Sequence, residues 1–239
     1  MTQEPGHPII LYPGGEGTAT AYCPQGTKPT GGGATVESDP LAAVFFRESA
    51  PNPARNRWQV QAYNGSNEVQ TVHPRVICTT DSTITYNVGP DSSIQPGDFN
   101  SAPGAGCSNS QYVVGGGVQA GPRTFVMESS WANIRAWYAV AKYTDYDPDA
   151  PLSYVRGFAI CSDRQPTLKV GSTKLAAGAV GTAHAECPAG QVPTGGGGSI
   201  GLDALLNGSA PTATGWTVQG TNKADGPRTL DASVFCTTP

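Results

Sequence analysis

The chain is short of charge. Charged residues make up 13 % of its 239 positions, about half the share of an ordinary soluble domain. Acidic residues outnumber basic ones, 18 to 14, which argues against a protein whose main work is gripping a nucleic-acid backbone. No apolar run reaches the roughly 18 residues that a membrane-spanning helix needs. Lys and Glu are scarce, and no window sustains a 3.6-residue apolar period. Glycine shows no strict period of three, which excludes collagen.

What is abundant is Gly (31) and Pro (21). Inside a helix these cost roughly 1 and 3 kcal/mol each. Such a composition is compatible with disorder, but 38 % of the chain is apolar and 4 Trp, 9 Tyr and 6 Phe are present. That is enough for a core. The expectation is an all-β protein of many short strands joined by Gly/Pro turns.

The six cysteines are regularly placed. Cys23 and Cys78 are 55 apart, Cys107 and Cys161 are 54 apart, and Cys187 and Cys236 are 49 apart. A glycine cluster starts eight residues after the first Cys of each pair, at Gly31, Gly115 and Gly195. Trp58, Trp137 and Trp216 follow at intervals of 79. A Ser-containing segment precedes each Trp, at Ser49-Ala50-Pro51, Ser129-Ser130-Trp131 and Ser209-Ala210-Pro211. Each unit closes on an apolar residue and Cys. Three copies of a unit of about 80 residues thus cover the chain (1–80, 81–163 and 164–239), and repeats outrank every other signal. Six Cys allow 15 pairings. The repeat selects 23–78, 107–161 and 187–236. Zinc is not expected, because there is no Cys-x-x-Cys and His7, His73 and His184 do not repeat with the cysteines.

About five strands are expected per unit, the third following the glycine cluster and the fourth starting at the Trp. By the two-residue period Trp58, Val60 and Ala62 share a buried face, and Gln59, Gln61 and Tyr63 a wet one. Each unit has few bulky residues, which is thin for three independent cores. The favoured arrangement is therefore a pseudo-threefold β-prism of three Greek-key sheets in one compact domain. The alternative is three small β-sandwiches in a row.

The pattern Cys-Pro-x-Gly, four residues, Gly-Gly-Gly, then Trp-x-Val-x-Ala-x-Asn and a closing Ala/Val-x-Cys resembles a repeat of secreted and surface proteins of actinobacteria and their phages. Cys187-Pro188-Ala189-Gly190 and Cys23-Pro24-Gln25-Gly26 carry it. Cys107-Ser108-Asn109-Ser110 departs from it. The layout is also distantly similar to the vitelline membrane outer layer protein, a three-sheet β-prism. These resemblances imply the prism and supply no catalytic residue.

Paired cysteines point to an oxidising destination. Residues Met1 to Pro8 have neither a basic region nor an apolar stretch of the signal-peptide kind. The expected location is a virion surface or the cell exterior.

Candidate chemistry is sparse. Gly196 to Gly201 fits G-x-G-x-x-G but lacks the strand–helix context, and reads as a turn or bulge. Asp145, Asp147 and Asp149 lack the Gly and the distal Glu of a calcium loop, and read as a solvated loop. There is no nucleophile elbow. No cofactor or metal is expected. Arg75, Arg123 and Arg228 read as equivalent surface positions. Exposed aromatics that could stack on sugar are Trp131, Tyr138, Tyr143 and Tyr146. The expected function is a non-enzymatic structural or binding protein: a phage decoration, fibre or tail-associated component, or a secreted module. Its partners would be capsid or tail proteins or a surface glycan, without nucleic acid or membrane insertion, as a monomer or as a trimer on a larger assembly. The alternative is a secreted polysaccharide hydrolase or lyase of an actinobacterium.

Overall fold

A computed structural model of the chain describes residues 1–37 and 43–239, side chains of Trp131 and Ala132 excepted. The first repeat contains β1 (Thr2–Pro5), β2 (Ile9–Leu11), β3 (Glu16–Tyr22), β4 (Lys28–Val36), β5 (Val44–Asn52), β6 (Arg57–Asn64) and β7 (Gln70–Thr79). The second contains β8 (Thr85–Val88), β9 (Ser92–Ile94), β10 (Phe99–Gly106), β11 (Tyr112–Ala120), β12 (Thr124–Asn133), β13 (Ala136–Tyr143) and β14 (Ser153–Ser162). The third contains β15 (Thr167–Leu175), β16 (Val180–Glu186), β17 (Val192–Ile200), β18 (Ala204–Pro211), β19 (Gly215–Asn222) and β20 (Arg228–Thr237). The chain is all-β, and its strands form three antiparallel sheets.

Two expectations about the repeat need correction. The glycine cluster does not precede a strand but lies inside one, in β4, β11 and β17. The Ser-containing segment is itself a strand, β5, β12 or β18. The weak local signal is understandable: neither Gly-Gly-Gly nor Ser-Ala-Pro has strand propensity, and their neighbours decide.

The sheets also do not correspond to repeats. One runs β3-β6-β5-β11-β14-β8, joining repeat 1 to repeat 2. The next runs β10-β13-β12-β17-β20-β15, joining repeat 2 to repeat 3. The last runs β1-β7-β4-β18-β19-β16 and closes the ring between repeats 3 and 1. Each repeat therefore divides its strands between two sheets, four and three in repeats 1 and 2 and three and three in repeat 3, and the two sets face each other as a lobe. In the first lobe Trp58 on β6 reaches across to Gly32 on β4. The disulfide Cys23–Cys78 ties the end of β3 to β7. Cys107–Cys161 and Cys187–Cys236 do the same in the other lobes. All three pairs are those expected from the repeat.

The three glycines of each cluster have three different neighbours. A Cβ on Gly31 would lie 2.6 Å from Gly195 Cα, and one on Gly195 would lie 2.6 Å from Gly115 Cα. The first glycines thus meet backbone to backbone on the pseudo-threefold axis. The second glycine seats the repeat's own Trp: a Cβ on Gly32, Gly116 or Gly196 would come within 2.5, 2.2 or 2.4 Å of the indole of Trp58, Trp137 or Trp216. The third abuts the adjoining repeat, where Gly33, Gly117 and Gly197 lie against the Ser209, Ser49 and Ser129 carbonyls. This is the close backbone approach that glycine in a strand permits.

The three Trp are at most 1 % exposed. Their indole N–H groups donate to Ser49, Ser129 and Ser209 at 3.1, 3.1 and 2.9 Å. Burial alternates along β6 as the two-residue period requires, with Trp58, Val60 and Ala62 inside. The main apolar cluster draws on all three repeats, from Trp58 through Ile160 to Trp216. One core is shared.

Candidate binding grooves

At one end of the lobes the outward residues at the start of β5, β12 and β18 converge. Phe45, Phe125 and Leu205 occupy equivalent positions and form a small apolar cluster of their own with Met127. The Phe45 and Phe125 rings are 5.5 Å apart. Each of these strands carries a bulge, at Arg47, Met127 and Asn207. A bulge turns two successive residues to the same side, so Arg47 and Glu48 both leave the core. Both are nonetheless buried among their neighbours.

Grooves flank this cluster where consecutive repeats adjoin. The groove between repeats 1 and 2 holds about 570 Å³ and is lined by Arg47, Tyr63, Arg123 and Thr144, among others. Its charges are internally matched: Arg47 pairs with Glu16 and Arg123 with Asp145. The groove between repeats 2 and 3 holds about 630 Å³ and contains Lys142, Tyr146, Asp203, Lys223, Asp225 and Arg228. Here Lys142 Nζ contacts Asp203 Oδ1 at 2.6 Å. That hydrogen bond raises the Lys142 pKa and lowers the Asp203 pKa. Lys223 Nζ lies 4.3 Å from the centre of the Phe45 ring, and the accompanying desolvation lowers its pKa. A third, smaller groove of about 320 Å³ lies on the outer face of the sheet through β12 and β17. Phe99, Glu128, Tyr138 and Leu202 border it. Burial raises the Glu128 carboxyl pKa, and the charge of nearby Asp231 pushes the same way.

The aromatics expected to contact sugar are not one site. Tyr146 is 71 % exposed and stands at the groove between repeats 2 and 3. Tyr138 is half-buried and belongs to the third groove. Tyr143 is a correction. It is 4 % exposed and its hydroxyl donates to the Pro151 carbonyl at 3.2 Å. It falls on the same β13 face as Trp137, Ala139 and Ala141, which is inside. The Trp131 side chain lies outside the described residues.

Arg75, Arg123 and Arg228 are not equivalent. Arg75 is within β7, Arg123 is in the β11–β12 turn at positive φ, and Arg228 opens β20. The glycine pattern at 196–201 runs through β17, with no helix after it. In the acidic loop the Asp147 and Asp149 backbone N–H groups donate to the Asp145 and Asp147 carboxylates. Among the described residues no cluster of His, Cys, Asp and Glu is arranged to hold a metal. His73 contacts Glu37 at 2.7 Å, while His7, between β1 and β2, and His184, on β16, are exposed elsewhere.

Lys223 carried no signal in the sequence, and Arg228 read only as one of three equivalent surface arginines. Aligning the repeats on Trp places Gly65, Thr144 and Lys223 together, and likewise Tyr63, Lys142 and Thr221. The charge difference was therefore visible at those positions, but nothing local marked them as neighbours. No family model matches the chain, and no curated protein matches it.

Proposed function

We propose that the protein is a non-enzymatic scaffold displayed outside the cytoplasm, as a virion-surface component or a secreted module. The observation that carries this reading is the construction of the molecule. Three disulfide-closed lobes share one core and hold loop-bordered polar grooves in fixed positions. Three disulfides and the absence, among the described residues, of a helix long and apolar enough to cross a membrane fit an extracellular protein. Such a scaffold would contact a capsid or tail protein, or a surface glycan, through its grooves. Antibody labelling of purified phage particles and sedimentation with bacterial envelopes test it. Detection in either supports the reading, and absence from both sinks it.

A second reading is a polysaccharide hydrolase or lyase. It rests on Glu128, a half-buried carboxyl that borders the outer groove beside Phe99 and Tyr138, where burial raises its pKa as a general acid requires. Turnover of cell-wall polysaccharide that disappears in a folded Glu128→Gln protein would replace the first reading with this one.

A further inference from the structure

We infer that the groove between repeats 2 and 3 is a subsite for a carboxylated saccharide, such as a hexuronate within a surface polymer. This deepens the binding reading above and rests on it. The pseudo-threefold supplies an internal comparison. In the groove between repeats 1 and 2, the positions of Lys142, Asp203 and Lys223 are held by Tyr63, Arg123 and Thr144. Every cation there has a carboxylate partner. The groove between repeats 2 and 3 holds three cations, Lys142, Lys223 and Arg228, against two carboxylates, Asp203 and Asp225. Only Lys142 is in an ion pair among the described residues.

Among the described residues Arg228, whose charge helps to lower the Asp203 pKa, is in no ion pair either. Its Nε donates to the Leu202 carbonyl at 2.8 Å and its Nη1 to the Pro227 carbonyl at 3.1 Å. These bonds orient the guanidinium and leave further N–H groups for an acceptor. Arg228 also breaks the repeat. The corresponding residues that open β7 and β14, Gln70 and Ser153, are buried. Lys223 is oriented by the Phe45 ring and has lost part of its hydration, which reduces the further desolvation needed to meet an anion. Within the lining the cations exceed the carboxylates by one, and Asp98 adds a further negative charge near Lys142, so the groove suits a monoanionic carboxylate better than a doubly charged phosphate. Tyr146, with its ring largely exposed, borders the same groove. It packs over Gly97, where a Cβ would lie 2.9 Å from the ring. A fixed aromatic face beside a cation and two acceptors is suited to a sugar ring that carries both hydroxyls and a carboxylate.

The test uses the full-length oxidised protein. Calorimetry is run against tetrasaccharides of galacturonate and of mannuronate, and against the same oligomers with their carboxyls reduced to alcohols. We expect at least one acidic oligomer to bind at least tenfold more tightly than its reduced form at low salt. Lys223→Met, which keeps an apolar stem against Phe45, should abolish that preference. Lys169→Ala, exposed on β15 and outside all three grooves, should leave it unchanged. An unchanged melting temperature of Lys223→Met shows that the variant is folded. No binding of either acidic oligomer, equal binding of acidic and reduced forms, or a preference that survives Lys223→Met would each overturn the subsite. If the protein still sediments with envelopes or particles, the broader reading stands without the subsite. If it does neither, both readings fall.

Discussion

Replacing Gly31 with Ala adds one methyl group at the point where the three repeats meet. That methyl would lie 2.6 Å from Gly195 Cα and 2.8 Å from the Thr194 carbonyl oxygen. Ordinary contacts begin near 3.4 Å. Both obstructing atoms are backbone, so no side chain can swing away. β4 and β17 must separate by about 1 Å, or the methyl must distort β4. Overpacking of a well-filled core costs about 1–3 kcal/mol and occasionally more. With backbone on both sides we expect about 3 kcal/mol or above. At roughly 2–4 °C per kcal/mol for a domain of this size, the melting temperature should fall by about 6–12 °C. Gly14→Ala is the matched control. Gly14 has φ +73° and nothing within 4 Å of its would-be Cβ. It should lose only the left-handed backbone penalty, about 1–2 kcal/mol. The assay is reversible unfolding of the oxidised proteins, followed by circular dichroism. Gly31→Ala presses on β17 and Gly195→Ala on β11, but the second methyl also lies 3.0 Å from the Thr30 carbonyl, so the two sites adjoin and the cost of the double variant should depart from the sum of the two singles. A Gly31→Ala protein within 1 kcal/mol of the parent, or no more damaged than Gly14→Ala, would refute the axial contact.

Non-reducing peptide mapping should return 23–78, 107–161 and 187–236. In the chain-entropy model, loops of about 50 residues are worth about 4 kcal/mol each, so reduction should lower the melting temperature sharply; a melting curve indifferent to reductant would contradict this. Ser209→Ala strands the buried Trp216 indole N–H and should cost about 1–3 kcal/mol, with Ser49→Ala and Ser129→Ala close to it in denaturant titrations. Burial raises the folded pKa of Glu128 above its unfolded value. The folded state then binds the proton more tightly, so this group's contribution is most favourable below the unfolded pKa and is lost as pH rises through the folded one. Glu128→Gln should therefore raise the melting temperature at pH 7 and change it little at pH 4; a uniform effect across pH would remove the argument. Tyr143→Ala should lose about 3–5 kcal/mol, as aromatic core deletions do, while Tyr146→Ala should leave stability nearly unchanged in the same melts.

Much of the molecule was legible because its signals are local or periodic. The disulfide pairs followed from spacing that recurs three times, and the inward face of β6 from alternation at Trp58, Val60 and Ala62. The error at Tyr143 has a physical cause. By the same alternation it belongs with Trp137, Ala139 and Ala141, rather than with the exposed aromatics. Buried, its hydroxyl is satisfied by the Pro151 carbonyl, which no local pattern reveals. The grooves were harder still, since Lys142 and Lys223 are 81 positions apart.

By itself, then, the low-charge, Gly- and Pro-rich sequence determined an all-β chain of three repeats and its cysteine partners. These depend on short-range pattern and on equivalence between copies. The tertiary structure decided which strands pair across repeats, since β5 could complete a sheet within its own repeat or join β11 in the next. It also decided why three glycines recur together. One meets the axis, one seats a Trp and one abuts the neighbouring repeat, and each need arises only when strands distant in sequence are brought within a van der Waals radius. The same convergence brings to one groove two cations that lack carboxylate partners among the described residues, and it matches every cation in the counterpart groove, an asymmetry that belongs to the assembled threefold.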